Sequence, residues 1–149
     1  MALIKTNLDK LDFSKLYKKQ IKNSTFKSKS SSDWDKKAKE FNQNIKASSY
    51  TKDFIKKVDL NDCETLLDVG SGPATISLAL AKKLKTVYAL DYSPTMLELA
   101  KQNAKEQNIE NLITIDKSWY DSWEDVPNAD IVIASRSIEV KDIKKALIK

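Results

Sequence analysis

An acidic residue and two alternating glycines stand together in Leu66-Leu67-Asp68-Val69-Gly70-Ser71-Gly72-Pro73-Ala74-Thr75. The chain has 2 glycines, and both are in this segment. Glycine lets a backbone turn tightly and lets a ligand approach without a Cβ in the way. A β-rich run, Thr65 to Val69, leads into the turn and a helical pattern leads out of it, the setting of a ligand-binding loop. A dinucleotide fingerprint requires a third glycine five positions after the first, and that position is Thr75. Asp68 would also set a carboxylate against a pyrophosphate. An NAD-dependent oxidoreductase is therefore disfavoured. A carboxylate at this place suits a cationic ligand, such as one bearing an ammonium and a sulfonium.

A second carboxylate, Asp91, ends the next β-rich run about twenty residues beyond the turn, where it can accept both hydroxyls of a ribose. Ser93 caps the following helix, with Pro94 at its first position. Histidine is absent, which excludes from this chain imidazole-dependent triads and histidine-ligated zinc. No metal site is expected.

Asp68, Gly70 and Gly72 resemble motif I of the class I S-adenosyl-L-methionine-dependent methyltransferases, with Ala74 where that family usually has a third glycine. Tyr92-Ser93-Pro94-Thr95-Met96-Leu97 resembles the segment that follows the second acidic residue in small-molecule members. The resemblance runs from about Trp34 to the end. It implies S-adenosyl-L-methionine as cofactor, with S-adenosyl-L-homocysteine as product. The methionine part would be held by Asp68, Gly70, Ser71 and Gly72, the ribose by Asp91, and adenine against Tyr92, with Met96 in the same segment. Ser118 falls where the family has an adenine-binding aspartate. Adenine recognition is expected from Ser118 and the backbone amide of Trp119, with Asp116 a weaker candidate. Ala134-Ser135-Arg136-Ser137 occupies the place facing the sulfonium and the acceptor, so Ser135 joins the cofactor set. Helices before motif I often form a lid in this family, and Tyr50 lies where a lid would approach the methionine end. There is no Asn-Pro-Pro-Tyr segment, so methylation of DNA or protein glutamine by that motif is not indicated. No residue is assigned as catalytic. The acceptor expected is a small molecule.

These residues need a scaffold. Leu11, Phe13, Leu16, Tyr17 and Ile21 share a helical face, before Lys22 to Ser32 gives way to a Lys/Ser-rich linker. A helix capped by Ser32 presents Trp34, Ala38, Phe41 and Ile45 as one stripe, and a short helix follows Ser49 with Tyr50, Phe54, Ile55 and Val58 inward. Strands are expected at Thr65–Val69, Thr86–Leu90, Leu112–Ile115 and Ile131–Ala134. Helices are expected at Pro73–Leu84, Pro94–Asn108 and from Val140 to the end. The alternation implies an α/β fold with a parallel sheet. The domains expected are a basic arm and linker (1–32), a helical lid (33–60) and a Rossmann-like cofactor-binding domain (61–149). The family's seven-stranded sheet has the order 3-2-1-4-5-7-6, so the resemblance implies a fold truncated after strand four. Its edge would invite self-association or a second chain that completes the sheet.

The single cysteine, Cys63, and the lack of a leader or apolar span point to the cytoplasm, with no membrane contact. Net charge is +5, divided as +8 over residues 1–60 and −3 over residues 61–149. Arg136 is the only arginine, and arginine is the residue that reads bases and phosphates bidentately. A nucleic-acid partner is therefore disfavoured. Two further readings stay open at this point: a cofactor-binding fragment or subunit without turnover of its own, and the less favoured oxidoreductase.

Overall fold

A computed structural model describes residues 12–23 and 29–138, together with Ala146. Among the described residues, five helices and four strands follow in the order α1 (Phe13–Asn23), α2 (Ser31–Ala47), α3 (Tyr50–Ile55), β1 (Thr65–Val69), α4 (Thr75–Ala81), β2 (Thr86–Asp91), α5 (Pro94–Glu106), β3 (Leu112–Asp116) and β4 (Ile131–Ile133). The helix expected from Val140 onward lies outside the described residues, save for Ala146, which is helical and buried.

The strands form one parallel sheet in the order β3-β2-β1-β4. Each β–α–β connection is long enough for the crossover that parallel pairing demands. Asp68 of β1 lies opposite Ala89 of β2 on one side and Ile133 of β4 on the other. Two apolar clusters cover the faces. The larger packs Leu66, Val87, Ala89 and Ile133 against Ile76, Leu80 and Ala100 of α4 and α5, with Tyr50, Phe54, Ile55 and Val58 packed alongside. The smaller sets Leu67, Val69 and Leu90 against Trp119, Trp123 and Val126. Val132, on this second face, is 58% exposed, and among the described residues β4 pairs with β1 alone.

Several local expectations are corrected. The cap of α2 is Ser30, not Ser32. The Ser30 hydroxyl accepts from the Asp33 amide, and the Asp33 carboxylate accepts from the Ser30 amide, a reciprocal capping box that satisfies two otherwise orphaned donors. Helix α4 is shorter than the Pro73–Leu84 pattern, because Ala74 is left-handed (φ 58°) and the chain leaves the helix at Lys82. Leu16 of α1, whose burial the sequence left open, is 50% exposed. No described helix is long and apolar enough to cross a membrane.

Helix α2 is fastened to α5 along its length. Asp35 accepts from the Ser93 hydroxyl (2.6 Å), Asn103 donates to Asn42 (3.0 Å), and Lys46 pairs with Glu106 (3.1 Å). The Asn103 amide also donates to the Pro73 carbonyl (3.0 Å), which ties this helix pair to the end of the glycine turn.

Candidate functional site

The glycine turn is built by β1 and β2 together. Past Val69 the backbone reverses through two left-handed residues, Gly70 (φ 70°) and Gly72 (φ 55°), a region that costs a side chain dearly. The Gly70 and Ser71 amides both donate to the Leu90 carbonyl (2.7 and 3.0 Å), so the turn folds back over the end of β2. Ala74 adopts the same left-handed backbone, a conformation that favours glycine.

Asp68 is buried, and the Ser77 hydroxyl of α4 donates to its carboxylate. Burial pushes the Asp68 carboxyl up to about 7. The Ser77 hydroxyl opposes the rise, and the charge of Asp91 adds to it. Asp91, at the end of β2, is also raised by burial. The Ser93, Gly72 and Tyr92 amides oppose that rise, and the charge of Asp116 adds to it. The Asp91 carboxylate accepts from the Gly72 amide (2.8 Å) and the Ser93 amide (2.9 Å). Asp91 thus braces the turn, a role its sequence position did not announce.

Beyond β4 the chain turns back over this loop. Ser137 donates from its hydroxyl to the Val69 carbonyl, and its own carbonyl accepts from the Trp119 indole (2.9 Å). Ser135 shares a 2.7 Å hydrogen bond with the Tyr50 hydroxyl of α3. Between them, Arg136 is left-handed (φ 56°) and lays its guanidinium 3.9 Å from the centre of the Tyr50 ring.

These segments enclose a cavity of about 690 Å³ at the carboxyl ends of the strands, at the point where the strand order switches, with β2 on one side of β1 and β4 on the other. Ligands in open α/β sheets bind at such a crevice. Asp68, Gly70, Ser71, Gly72, Asp91, Tyr92, Met96, Ser118, Trp119 and Ser135 all line it, so the structure brings the ten expected cofactor residues around one space. Asp116 is exposed and does not line it; its carboxylate acts on the site through Asp91. Ser118 has local ties: its amide donates to Asp121 (2.6 Å) and its hydroxyl accepts from the Tyr120 amide (3.1 Å). Trp119 serves twice, as cavity wall and as core, with its ring stacked on Trp123 at 5.5 Å. Tyr92 donates from its hydroxyl to the Lys29 carbonyl (2.9 Å).

Sequence reasoning missed Trp34, Phe41 and Thr75 as cavity walls, and Ser77 as the partner of Asp68. The stripe on α2 signalled the first two only as core. The hydroxyl of Thr75 is buried without a partner among the described residues. Among the described residues, no group of three or more His, Cys, Asp and Glu side chains could hold a metal ion.

Residues 60–148 match the family model described as a methyltransferase domain. An uncharacterised protein of Haemophilus influenzae is 43% identical over 112 residues, which cover 74% of this chain and 42% of that protein. A probable cobalt-precorrin-6B C(15)-methyltransferase of Methanocaldococcus jannaschii is 40% identical over 57 residues, or 38% of this chain and 31% of that protein. The chain therefore spans less than half the length of either relative. Among solved structures, a Methanococcus maripaludis protein classed with the S-adenosyl-L-methionine-dependent methyltransferases superimposes with a TM-score of 0.55 at 22% identity, covering 83% of this chain and 59% of that one. The YcgJ protein of Bacillus subtilis gives a TM-score of 0.51 at 23% identity, over 56% of this chain and 36% of that one. At such identities the likeness is one of fold: a Rossmann-like parallel sheet preceded by helices. With most of its length matched by the family model, the chain belongs to the methyltransferase domain family.

Proposed function

We propose that this chain is the cofactor-binding part of a class I S-adenosyl-L-methionine-dependent methyltransferase that acts on a small-molecule acceptor. One observation carries the reading: the carboxylates of β1 and β2, the glycine turn between them and the aromatic residue after β3 line a single cavity. The residues fit the group. Two buried carboxylates with raised pKa values suit a ligand that brings positive charge, and Thr75, whose buried hydroxyl has no partner among the described residues, lines the same cavity.

When bound, S-adenosyl-L-methionine supplies a methyl group on a positive sulfur, open to a nucleophile approaching in line. The chain's part is alignment and exclusion of water. In this reading Asp68 and the glycine turn hold the methionine part, Asp91 accepts from the ribose, and Tyr92, Met96, Ser118 and Trp119 surround adenine. Residues 33–60 form a lid over a cofactor-binding domain of residues 61–149, behind a basic arm of residues 1–32. No general base is assigned, because the need for one depends on the acidity of the acceptor.

A second reading, binding without turnover by this chain alone, is favoured by β4, whose Val132 is exposed beside a sheet edge with no partner among the described residues. Calorimetric titration with S-adenosyl-L-homocysteine and with NAD tests cofactor choice, and saturable binding of the first alone is expected. Binding of NAD alone would sink the proposal. A methyl-transfer assay over candidate acceptors then separates the two readings.

A further inference from the structure

Arg136 is the only arginine of the chain, and its surroundings hold it in one place. Ser135 is bonded to Tyr50, and Ser137 is bonded to Val69 and to Trp119. The backbone between them takes a left-handed turn that non-glycine residues seldom adopt, at φ 56°. Such conformations persist where their surroundings impose them, and they gather at ligand sites. The turn directs the guanidinium onto the Tyr50 ring, 3.9 Å from its centre, on the wall of the cavity.

A guanidinium contacting an aromatic face leaves the N–H groups at its edge free to donate. Among the described residues no carboxylate forms an ion pair with Arg136, and no oxygen accepts a hydrogen bond from its guanidinium. Of the other cations of the cavity wall, Lys117 is engaged, pairing with Asp125 (2.7 Å) and donating to the Ser122 carbonyl. Lys29 lies over the Trp34 ring at 4.2 Å, and its ammonium has no planar fork to offer. The two cavity carboxylates accept from Ser77, Gly72 and Ser93. What remains at Arg136 is a planar fork of donors on the cavity wall, without an anion among the described residues. That geometry matches a carboxylate or a phosphate bidentately.

We infer that Arg136, held against Tyr50, is the oxyanion-recognition residue of this cavity, and that it takes a carboxylate or phosphate of the bound ligand. The inference rests on the cavity being a ligand site and deepens the proposed function. The anion has two sources: the carboxylate at the amino-acid end of the cofactor, or an acidic group on the acceptor.

The test uses Arg136→Gly, which removes the side chain and accepts the left-handed backbone without strain, and Arg136→Lys, which keeps the charge but loses the fork. Affinities for S-adenosyl-L-homocysteine and for 5′-methylthioadenosine, which lacks the amino-acid part, are measured by calorimetry. Binding of inorganic phosphate and of benzoate is followed by tryptophan fluorescence, with and without S-adenosyl-L-homocysteine. If the cofactor supplies the anion, Arg136→Gly weakens S-adenosyl-L-homocysteine about ten- to hundredfold and leaves 5′-methylthioadenosine unchanged. If the acceptor supplies it, both nucleosides bind normally, and the variant loses the phosphate or benzoate binding that the wild type shows when loaded with S-adenosyl-L-homocysteine. In either case Arg136→Lys recovers only part of the loss. Equal weakening of both nucleosides, or full recovery in Arg136→Lys, overturns the inference, as does unaltered binding of all four probes. Should neither nucleoside bind the wild type, the proposed function fails. The fork then stands only if the anions bind the free wild type and not Arg136→Gly, and it falls otherwise.

Discussion

Ser137 sits directly on Gly70: a Cβ built on Gly70 would collide with the Ser137 Cβ. The first glycine of the turn is thus required by the chain itself, since the loop after β4 can close on β1 only where residue 70 has no side chain. Gly72 differs, because a Cβ there would meet Phe41 at 3.7 Å and Met96 at 3.9 Å, ordinary contacts across the cavity.

Gly70→Ala therefore combines a left-handed backbone penalty with overpacking, and a loss of about 2–5 kcal/mol of stability is expected. Gly72→Ala carries the backbone penalty alone, about 1–2 kcal/mol. Urea unfolding of both variants decides the matter. Equal losses would mean that Ser137 gives way freely.

Asp91→Ala leaves the Gly72 and Ser93 amides without their carboxylate acceptor. Its expected effect is double. Unfolding free energy falls by about 1–3 kcal/mol, and affinity for S-adenosyl-L-homocysteine falls by about 1.5–3 kcal/mol through the lost ribose contact. Lys101→Ala is the control, since Lys101 lies on the exposed side of α5 with Glu98 3.8 Å away. Indistinguishable affinities of the two variants would remove Asp91 from the ligand set.

Asp68 gives a pH dependence with a definite sign. Its carboxyl titrates at about 7 in the folded chain, against an ordinary value of 3.8. Between these values the unfolded chain has released the proton and the folded chain keeps it. This group's contribution to stability therefore declines as pH rises from about 4 to about 7, then levels off. A ligand ammonium favours the ionised carboxylate, so binding of S-adenosyl-L-homocysteine should tighten from pH 6 to pH 8 and release protons below pH 7. Calorimetry in buffers of different ionisation enthalpy reads that release. Asp68→Asn should abolish both dependences, and an unchanged proton count in that variant would assign them elsewhere.

Asn103 bridges three segments from a buried position, donating to Asn42 and to the Pro73 carbonyl. Asn103→Leu leaves both acceptors unsatisfied, and a loss of about 2–6 kcal/mol is expected, at about 1–3 kcal/mol for each buried group. Thermal unfolding of the variant and of Asn42→Leu/Asn103→Leu checks this. The double variant should recover part of the loss, because one orphaned pair becomes an apolar contact.

Much of this site was legible in the sequence because its parts are local. A strand that runs into two glycines, followed by a helix and then by a carboxylate at the end of the next strand, draws on short-range conformational preferences and fixed spacings. Those features were enough to place Asp68, Gly70, Gly72 and Asp91 at one end of a parallel sheet. What the tertiary structure alone decided depends on residues far apart in the chain. Burial raises Asp68 because α4 and the sheet close around it, and Ser77 bonds it because one turn of that helix passes behind β1. The α2 cap moved to Ser30 because reciprocal bonding with Asp33 satisfies more backbone donors than a lone hydroxyl at Ser32 would. Arg136 reads in the sequence as the only arginine, in a segment that the family resemblance sets facing the sulfonium and the acceptor, with no contact of its own implied. It becomes a directed donor only when α3 brings Tyr50 beneath it and Ser137 closes on Gly70, contacts spanning 86 and 67 positions that no local preference encodes.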